Sequence, residues 1–358
     1  MNHSTRRQFL HTLTKVGAAT VGAAAAVGPT ILNASDKAGT KKPVVGSGEH
    51  TYEVHHDWGE LPAGLKYGNT HGVCEDAQGL IYVHHTVNAT SESSDSMVVF
   101  DKKGKFIRSW GKDFKGGAHG LHIRKEGRDE FLYLCDTKRG IVVKTTLKGE
   151  EVFTLGYPKE SDKYQGTGAD GKPIKYSPTN LAIAPNGDIY VGDGYGSSFI
   201  NQYDSKGAFI RTFGGNGKDP GQTSCPHGLI VDLRGGASNP VLLVADRANR
   251  RLQTFTLDGK HVAFIDGTNH PCHFSEHKGV MVVPDLWARV TLLDRSNKVI
   301  THLGDAGVDS WKAIRAGARE QFPEGKFVCP HGACFDHEGN IFVVEWVEVG
   351  RVSKLRRV

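Results

Sequence analysis

The sequence predicts an all-β fold, a six-bladed β-propeller whose last blade is closed by a strand from the N-terminal end. Three observations predict it. One phrase recurs six times along the chain, each copy holds four strand-like runs, and the last copy stops after three while the front of the chain carries an unmatched strand. Units of roughly 40–50 residues with four strands each are the mark of radially repeated sheets.

The clearest copy runs from Pro178 through Thr179, Asn180 and Leu181 to Asp193, continues over Phe199 to Asp204, and closes at Phe209 to Gly214. Aligned on their histidines, the copies begin at His71, His119, Asn180, His227, His273 and His331, at intervals of 48, 61, 47, 46 and 58 residues. Between the β-branched runs lie Asn186-Gly187, Lys206-Gly207, Asp258-Gly259 and Glu338-Gly339. Such pairs supply the positive φ that hairpin turns require. The copy from His331 to Val358 lacks its outer strand, and Thr51 to Gly59 has the closing pattern with no copy before it. Pairing the two closes the ring and leaves no open edge. The longer units hold insertions: Lys159 to Tyr176 is a polar loop, and Asp305 to Glu320 is expected to contain a short helix from the spacing of Trp311, Ile314 and Ala318.

Ahead of the repeats, Arg6 and Arg7 precede Phe9 and Leu10, and an Ala/Gly/Val-rich run follows from Val16 to Leu32. This is the pattern of a twin-arginine export signal, expected over 1–34, followed by a flexible linker over 35–50 and the propeller over 51–358. Gly22, Gly28 and Pro29 interrupt the run, which argues against a spanning anchor. A periplasmic or extracellular protein is expected, off the membrane once the signal is cleaved, and monomeric. With 38% hydrophobic residues in 358, the chain is too apolar to be disordered. Its 44 basic and 39 acidic residues give +5, about +2 without Arg6, Arg7 and Lys15, with no block of like charge. Nucleic acid and anionic membrane surfaces are therefore not expected partners.

In a propeller the innermost strands surround a central channel, so the residues opening them should meet at one mouth. Five of the six are histidines: His71, His119, His227, His273 and His331, with Asn180 as the sixth. Imidazoles converging without carboxylates suit zinc or another borderline metal, and three ligands with an open position suit catalysis. The second strand of each unit returns to the same mouth. An acidic residue recurs there (Asp136, Asp193, Asp246, Asp285, Glu345) and reads as a structural acceptor of backbone hydrogen bonds. Tyr195, Arg247, Trp287 and Trp346 come just after these acids and differ from blade to blade, which makes them candidates for chemistry.

These features resemble the NHL-repeat propellers and, among them, peptidyl-α-hydroxyglycine α-amidating lyase. The resemblance implies a catalytic zinc on His119 (Ala-His-Gly-Leu), His227 (Cys-Pro-His-Gly-Leu) and His331 (Cys-Pro-His-Gly-Ala), on alternate blades. It implies a proton-transferring tyrosine at Tyr195 in Asp-Gly-Tyr, and a charge-balancing arginine at Arg247 in Ala-Asp-Arg. There are two departures. Thr86 stands where the family has a substrate-gripping arginine, and Gly332 where it has an acid that contributes to a structural calcium site. His71 and His273 are additional, as general acid or base, as supports for the ligands, or as ligands of a second ion.

The expected function is a metal-dependent lyase, zinc being favoured, that acts at the channel mouth on an α-hydroxy or carbonyl compound, peptide or small molecule. A sugar stacked on Trp287 and Trp346 is a weaker variant, since both could be packing residues. The rival is a non-catalytic propeller binding a protein or glycan, and a calcium-dependent hydrolase is disfavoured because it would want carboxylates on the axis. All six cysteines lie beyond the signal; Cys74 and Cys334 are candidates for a disulfide across the seam. Cysteine ligation of the metal stays open, although proline between Cys and His at Cys225 and Cys329 makes joint chelation awkward.

Overall fold

The computed structural model describes residues 32–35, 41–168, 171–307 and 313–358. Six antiparallel sheets surround a central channel, as the repeats require. Their inner strands are Thr70–Glu75, Ala118–Glu126, Asn180–Ile183, Pro226–Asp232, Ser275–His277 and Pro330–Phe335. Blades one to five run through four consecutive strands each. In blade six, His50–His56 pairs with Arg351–Arg357, placing Val54 opposite Leu355 and Tyr52 opposite Arg357. The expected closure is present.

Part of the expected linker is instead strand. Lys41–Ser47 pairs with His50–His56, and Leu32–Ser35 pairs with Lys41–Ser47, so blade six has six strands. Val44 and Val45 are the reason: both are buried, and a solvated linker would leave them in water. Of the expected helix within 305–320, Ala313 and Ile314 are helical, Arg319–Gln321 is a 3₁₀ turn, and 308–312, with Trp311, lie outside the described residues. The export signal also lies outside them, apart from residues 32–34. Among the described residues no helix is long and apolar enough to cross a membrane.

The core is divided into wedges between adjacent blades. One joins blades five and six through Val282, Leu292, Val54, Val343 and Leu355, and another joins blades one and two through Tyr82, Val99, Leu121 and Leu134. In blades three to six the recurring acid ties down the chain entering its blade, as expected of a structural acceptor. Asp193 accepts from the Ser177 and Ser197 amides and Tyr164, Asp246 from the Ser224 amide, Gln253 and Arg251, and Glu345 from the Val328 amide and Arg351.

One detail of the ladders decides the site. In blades one, two, four and six the inner strand slips one residue against its neighbour, between Thr70 and Gly72, Ala118 and Leu121, Pro226 and Leu229, and Pro330 and Gly332. A bulge of this kind leaves a residue outside the ladder and re-aims its side chain. The residues in the slips are His71, His119, His227 and His331. In blade five Pro271 bridges Asp285 and pairing resumes at Ser275 with Val282, which puts Cys272 in the place of His227 and His273 in that of Gly228. In blade three Leu181 pairs with Val191 as Leu121 pairs with Leu134, which puts Thr179 in the place of His119. The mouth therefore reads His71, His119, Thr179, His227, Cys272, His331. The placement of Asn180 and His273 in this ring is corrected by one residue.

Closure makes Leu355, fully buried beside Val54, a shared support of the seam. Leu355→Ala is expected to cost about 2–5 kcal/mol in chemical denaturation. Val299→Ala, on a 39% exposed side chain, should stay within about 0.5 kcal/mol. Equal costs would show that the seam does not bear on global stability.

Candidate metal centre

The three histidines of blades two, four and six are held alike. His119 Nδ1 donates to the Thr179 carbonyl at 2.6 Å, His227 Nδ1 to the Cys272 carbonyl at 2.8 Å, and His331 Nδ1 to the His71 carbonyl at 3.0 Å. Each acceptor belongs to the ring residue of the next blade. With the proton fixed on Nδ1, the lone pair lies on Nε2, the form in which imidazole binds a metal. The glycine after each histidine allows this approach: a Cβ on Gly120, Gly228 or Gly332 would lie 2.6, 2.5 and 2.5 Å from those carbonyl oxygens.

Tyr195, at the end of blade three's second strand, reaches into the ring. Its hydroxyl lies 3.2 Å from both His119 Nε2 and His227 Nε2, and Arg247 Nη1 donates to it at 3.2 Å. One hydroxyl proton faces two lone pairs, so one Nε2 has no donor. His71 packs on His119 and His331 with ring centroids 4.6 and 4.4 Å apart, its Nδ1 3.3 Å from His331 Nε2. His119, His227 and His331 meet ring on ring, with centroids 4.7–4.8 Å apart. Two donor triads come within 4.8 Å: His71, His119 and His331, and His227, Cys272 and His331.

His273 lies one residue beyond the ring. Its Nδ1 donates to the Ala333 carbonyl at 3.1 Å, it packs against His122 at 5.3 Å, and its Nε2, like that of His122, is buried without a partner. The sequence reading missed Thr179, Cys272 and His122. The signal for the first two was the proline preceding the ring residue in Pro178-Thr, Pro226-His, Pro271-Cys and Pro330-His, which aligns the copies where the histidines alone do not.

Around the mouth, Trp287 is stacked on His270 at 4.2 Å and capped by Arg250, and Trp346 lies under Arg315 at 3.4 Å. Protein groups thus cover both indoles. Thr86 Oγ1 accepts from the Asn69 amide, and Arg315, from the loop before blade six, donates to Asn69 Oδ1 at 3.0 Å. All six cysteines, Cys74 and Cys334 included, are free.

No protein-family profile matches the chain. Curated proteins do. The chain is 26% identical over 215 residues to NHL repeat-containing protein 3 of Homo sapiens, covering 58% of this chain and 57% of that one. It is 29% identical over 239 residues to peptidyl-alpha-hydroxyglycine alpha-amidating lyase 1 of Drosophila melanogaster, covering 58% and 40%. A probable lyase of the same kind from Caenorhabditis elegans is 36% identical over 169 residues, covering 46% and 44%. The chain is a six-bladed propeller, similar in sequence to NHL repeat-containing protein 3 and to the amidating lyases. It spans little more than half the length of the human relative. Among solved structures, a streptogramin B lyase matches with a TM-score of 0.55 at 13% identity, over 85% of this chain and 97% of that one, a likeness of fold.

The propeller holds its histidines neutral. Burial lowers His119 and His122 to about 3 and His273 and His84 to about 4, and puts His71, His227 and His331 well below the ordinary value. Burial raises the Tyr195 phenol, opposed by the Arg247 guanidinium. Unfolded histidines take protons near pH 6.5, so below that value the folded chain binds fewer protons than the unfolded one. The stability from these lowered groups is full above about pH 6.5 and is lost as pH falls toward 4 and 3. Asp193, raised to about 6 by burial, runs the other way, losing its contribution as pH rises through 6, and burial raises Glu75 too, but these are two groups against seven. The chelator-treated propeller is therefore expected to melt at progressively lower temperature from pH 7 to pH 5, with proton uptake on unfolding. A flat profile would contradict the neutral ring.

Proposed function

We propose that the propeller is an exported, metal-dependent lyase, zinc being the favoured ion, that acts on an α-hydroxy or carbonyl compound at the histidine mouth. The observation that carries this reading is the Tyr195 hydroxyl set between His119 Nε2 and His227 Nε2 with Arg247 upon it. The donor chemistry fits a borderline cation: neutral imidazoles, protons fixed on Nδ1, and one lone pair that a single hydroxyl proton leaves unsatisfied. His119, His227 and His331 would hold the ion, with His71 against two of them. Zinc bound there supplies Lewis-acid polarisation of a substrate oxygen.

The chain's own groups do the rest. Tyr195 Oη stands where it can give its proton to the departing atom as the carbon–heteroatom bond breaks, and regain one from the substrate hydroxyl. The products are a carbonyl compound and the protonated leaving group. Arg247 faces the phenol oxygen and offsets the negative charge that develops on it. Arg315, beside Asn69 and Trp346, offers a guanidinium on the side where Thr86 replaces the arginine of the amidating lyases. That favours a substrate carrying an anionic group. Similarity to lyases and to NHL-repeat proteins at about 30% identity supports the reading. The export pattern of Arg6 and Arg7 supports a periplasmic or extracellular location.

Elemental analysis of the purified protein should find about one equivalent of zinc or another borderline metal, lost in the triple variant His119→Ala, His227→Ala, His331→Ala. With an α-hydroxyglycine substrate, Tyr195→Phe should retain the metal and lower kcat by about a hundred- to ten-thousand-fold. A wild type without bound transition metal would sink the lyase reading and leave a binding propeller.

A further inference from the structure

The ladder correction places a thiol, not an imidazole, at the fifth ring position. Cys272 is fully buried and free, and its sulfur lies within 4.8 Å of the donor nitrogens of both His227 and His331. We propose that Cys272 is a thiolate ligand of the ion at the channel mouth, joining the imidazoles there, His227 and His331 nearest to it, to make a mixed nitrogen–sulfur site. The inference rests on the metal reading above and goes beyond it in the identity of the donors.

Two further observations carry it. The first is mechanical. The carbonyl of Cys272 is the acceptor that fixes His227 Nδ1, at 2.8 Å, so one residue sets the orientation of the imidazole and the position of the sulfur. The thiol's own hydrogen bond goes to the His270 carbonyl at 3.4 Å, a weak interaction that metal ligation readily replaces. The second is electrostatic. Arg247 is half-buried at the mouth and hydrogen-bonds Tyr195, and its charge opposes the rise that burial imposes on the Cys225 and Cys272 thiols. A dication beside that guanidinium, held by neutral imidazoles, would leave a large positive charge unbalanced in a medium of low dielectric. Among the residues of the two donor triads, Cys272 is the one that can supply a negative charge. A thiolate also selects borderline and soft ions over calcium and magnesium. Cys225 belongs to neither triad.

Cobalt(II) tests this on the whole chain. Metal-free protein loaded with one equivalent of cobalt should show visible ligand-field bands together with a near-ultraviolet thiolate-to-cobalt charge-transfer band. Cys272→Ser and Cys272→Ala should lose the charge-transfer band, keep the ligand-field bands, and bind zinc at least about tenfold more weakly. Cys225→Ala and Cys329→Ala should keep both sets. Ligand-field bands in the wild type without charge transfer, or charge transfer that survives in Cys272→Ala, would overturn the thiolate ligand and leave the imidazole site standing. No cobalt uptake at all would bring down the metal reading with it. The wild-type spectrum decides even where a variant fails to fold.

Discussion

Each histidine of the alternate blades hands its Nδ1 proton to the carbonyl of the ring residue in the next blade, and the rest of the mouth depends on that handover. It fixes the tautomer, so the lone pair points where a ligand can be bound. It fixes blade spacing, because the carbonyl can be reached only if no side chain intervenes. The glycines after His119, His227 and His331 meet that condition. The third handover, from His331 to His71, crosses the seam where the N-terminal strand completes blade six. The closure that completes blade six therefore also completes the site.

The scaffold around this ring is built to resist distortion. Apolar wedges between blades fix each sheet against its neighbours, and in blades three to six the buried acid at the end of the second strand satisfies amides of the chain entering the blade. Glu345 and Arg351 form a fully buried ion pair in the closing blade, with Arg351 also bonded to the Lys326 carbonyl. Side chains mounted on such strands keep their mutual distances. The blades differ in the side chains just beyond each acid: Tyr195 reaches the ring, Arg247 reaches Tyr195, and the indoles of Trp287 and Trp346 are covered by cationic and imidazole groups. A regular frame thus carries one asymmetric site.

Much of this was legible in the residues. Six copies, four runs per copy and the orphan strand at Thr51 to Gly59 led to the closed propeller. The His-Gly pairs led to the mouth, because only glycine fits after a residue whose neighbour's backbone comes so close. Asp-Gly-Tyr and Ala-Asp-Arg pointed to Tyr195 and Arg247, which the structure brings into contact. The strand at Lys41–Ser47 was harder to see, since Val44 and Val45 are its only strong apolar residues amid lysine, proline and glycine.

The sequence by itself determined the number of blades, the closing strand and the four His-Gly ring positions, because repetition and local turn chemistry are properties of the chain alone. Only the tertiary structure decided which residue completes the ring in blades three and five. A one-residue slip in a ladder leaves composition and alternation unchanged but changes which side chain faces the axis. That slip brings Cys272 to the ring and takes His273 off it. Only the tertiary structure, too, set one tyrosine hydroxyl between two imidazoles from blades two and four, a contact between residues 32 and 76 positions apart that the packing of three successive blades brings together.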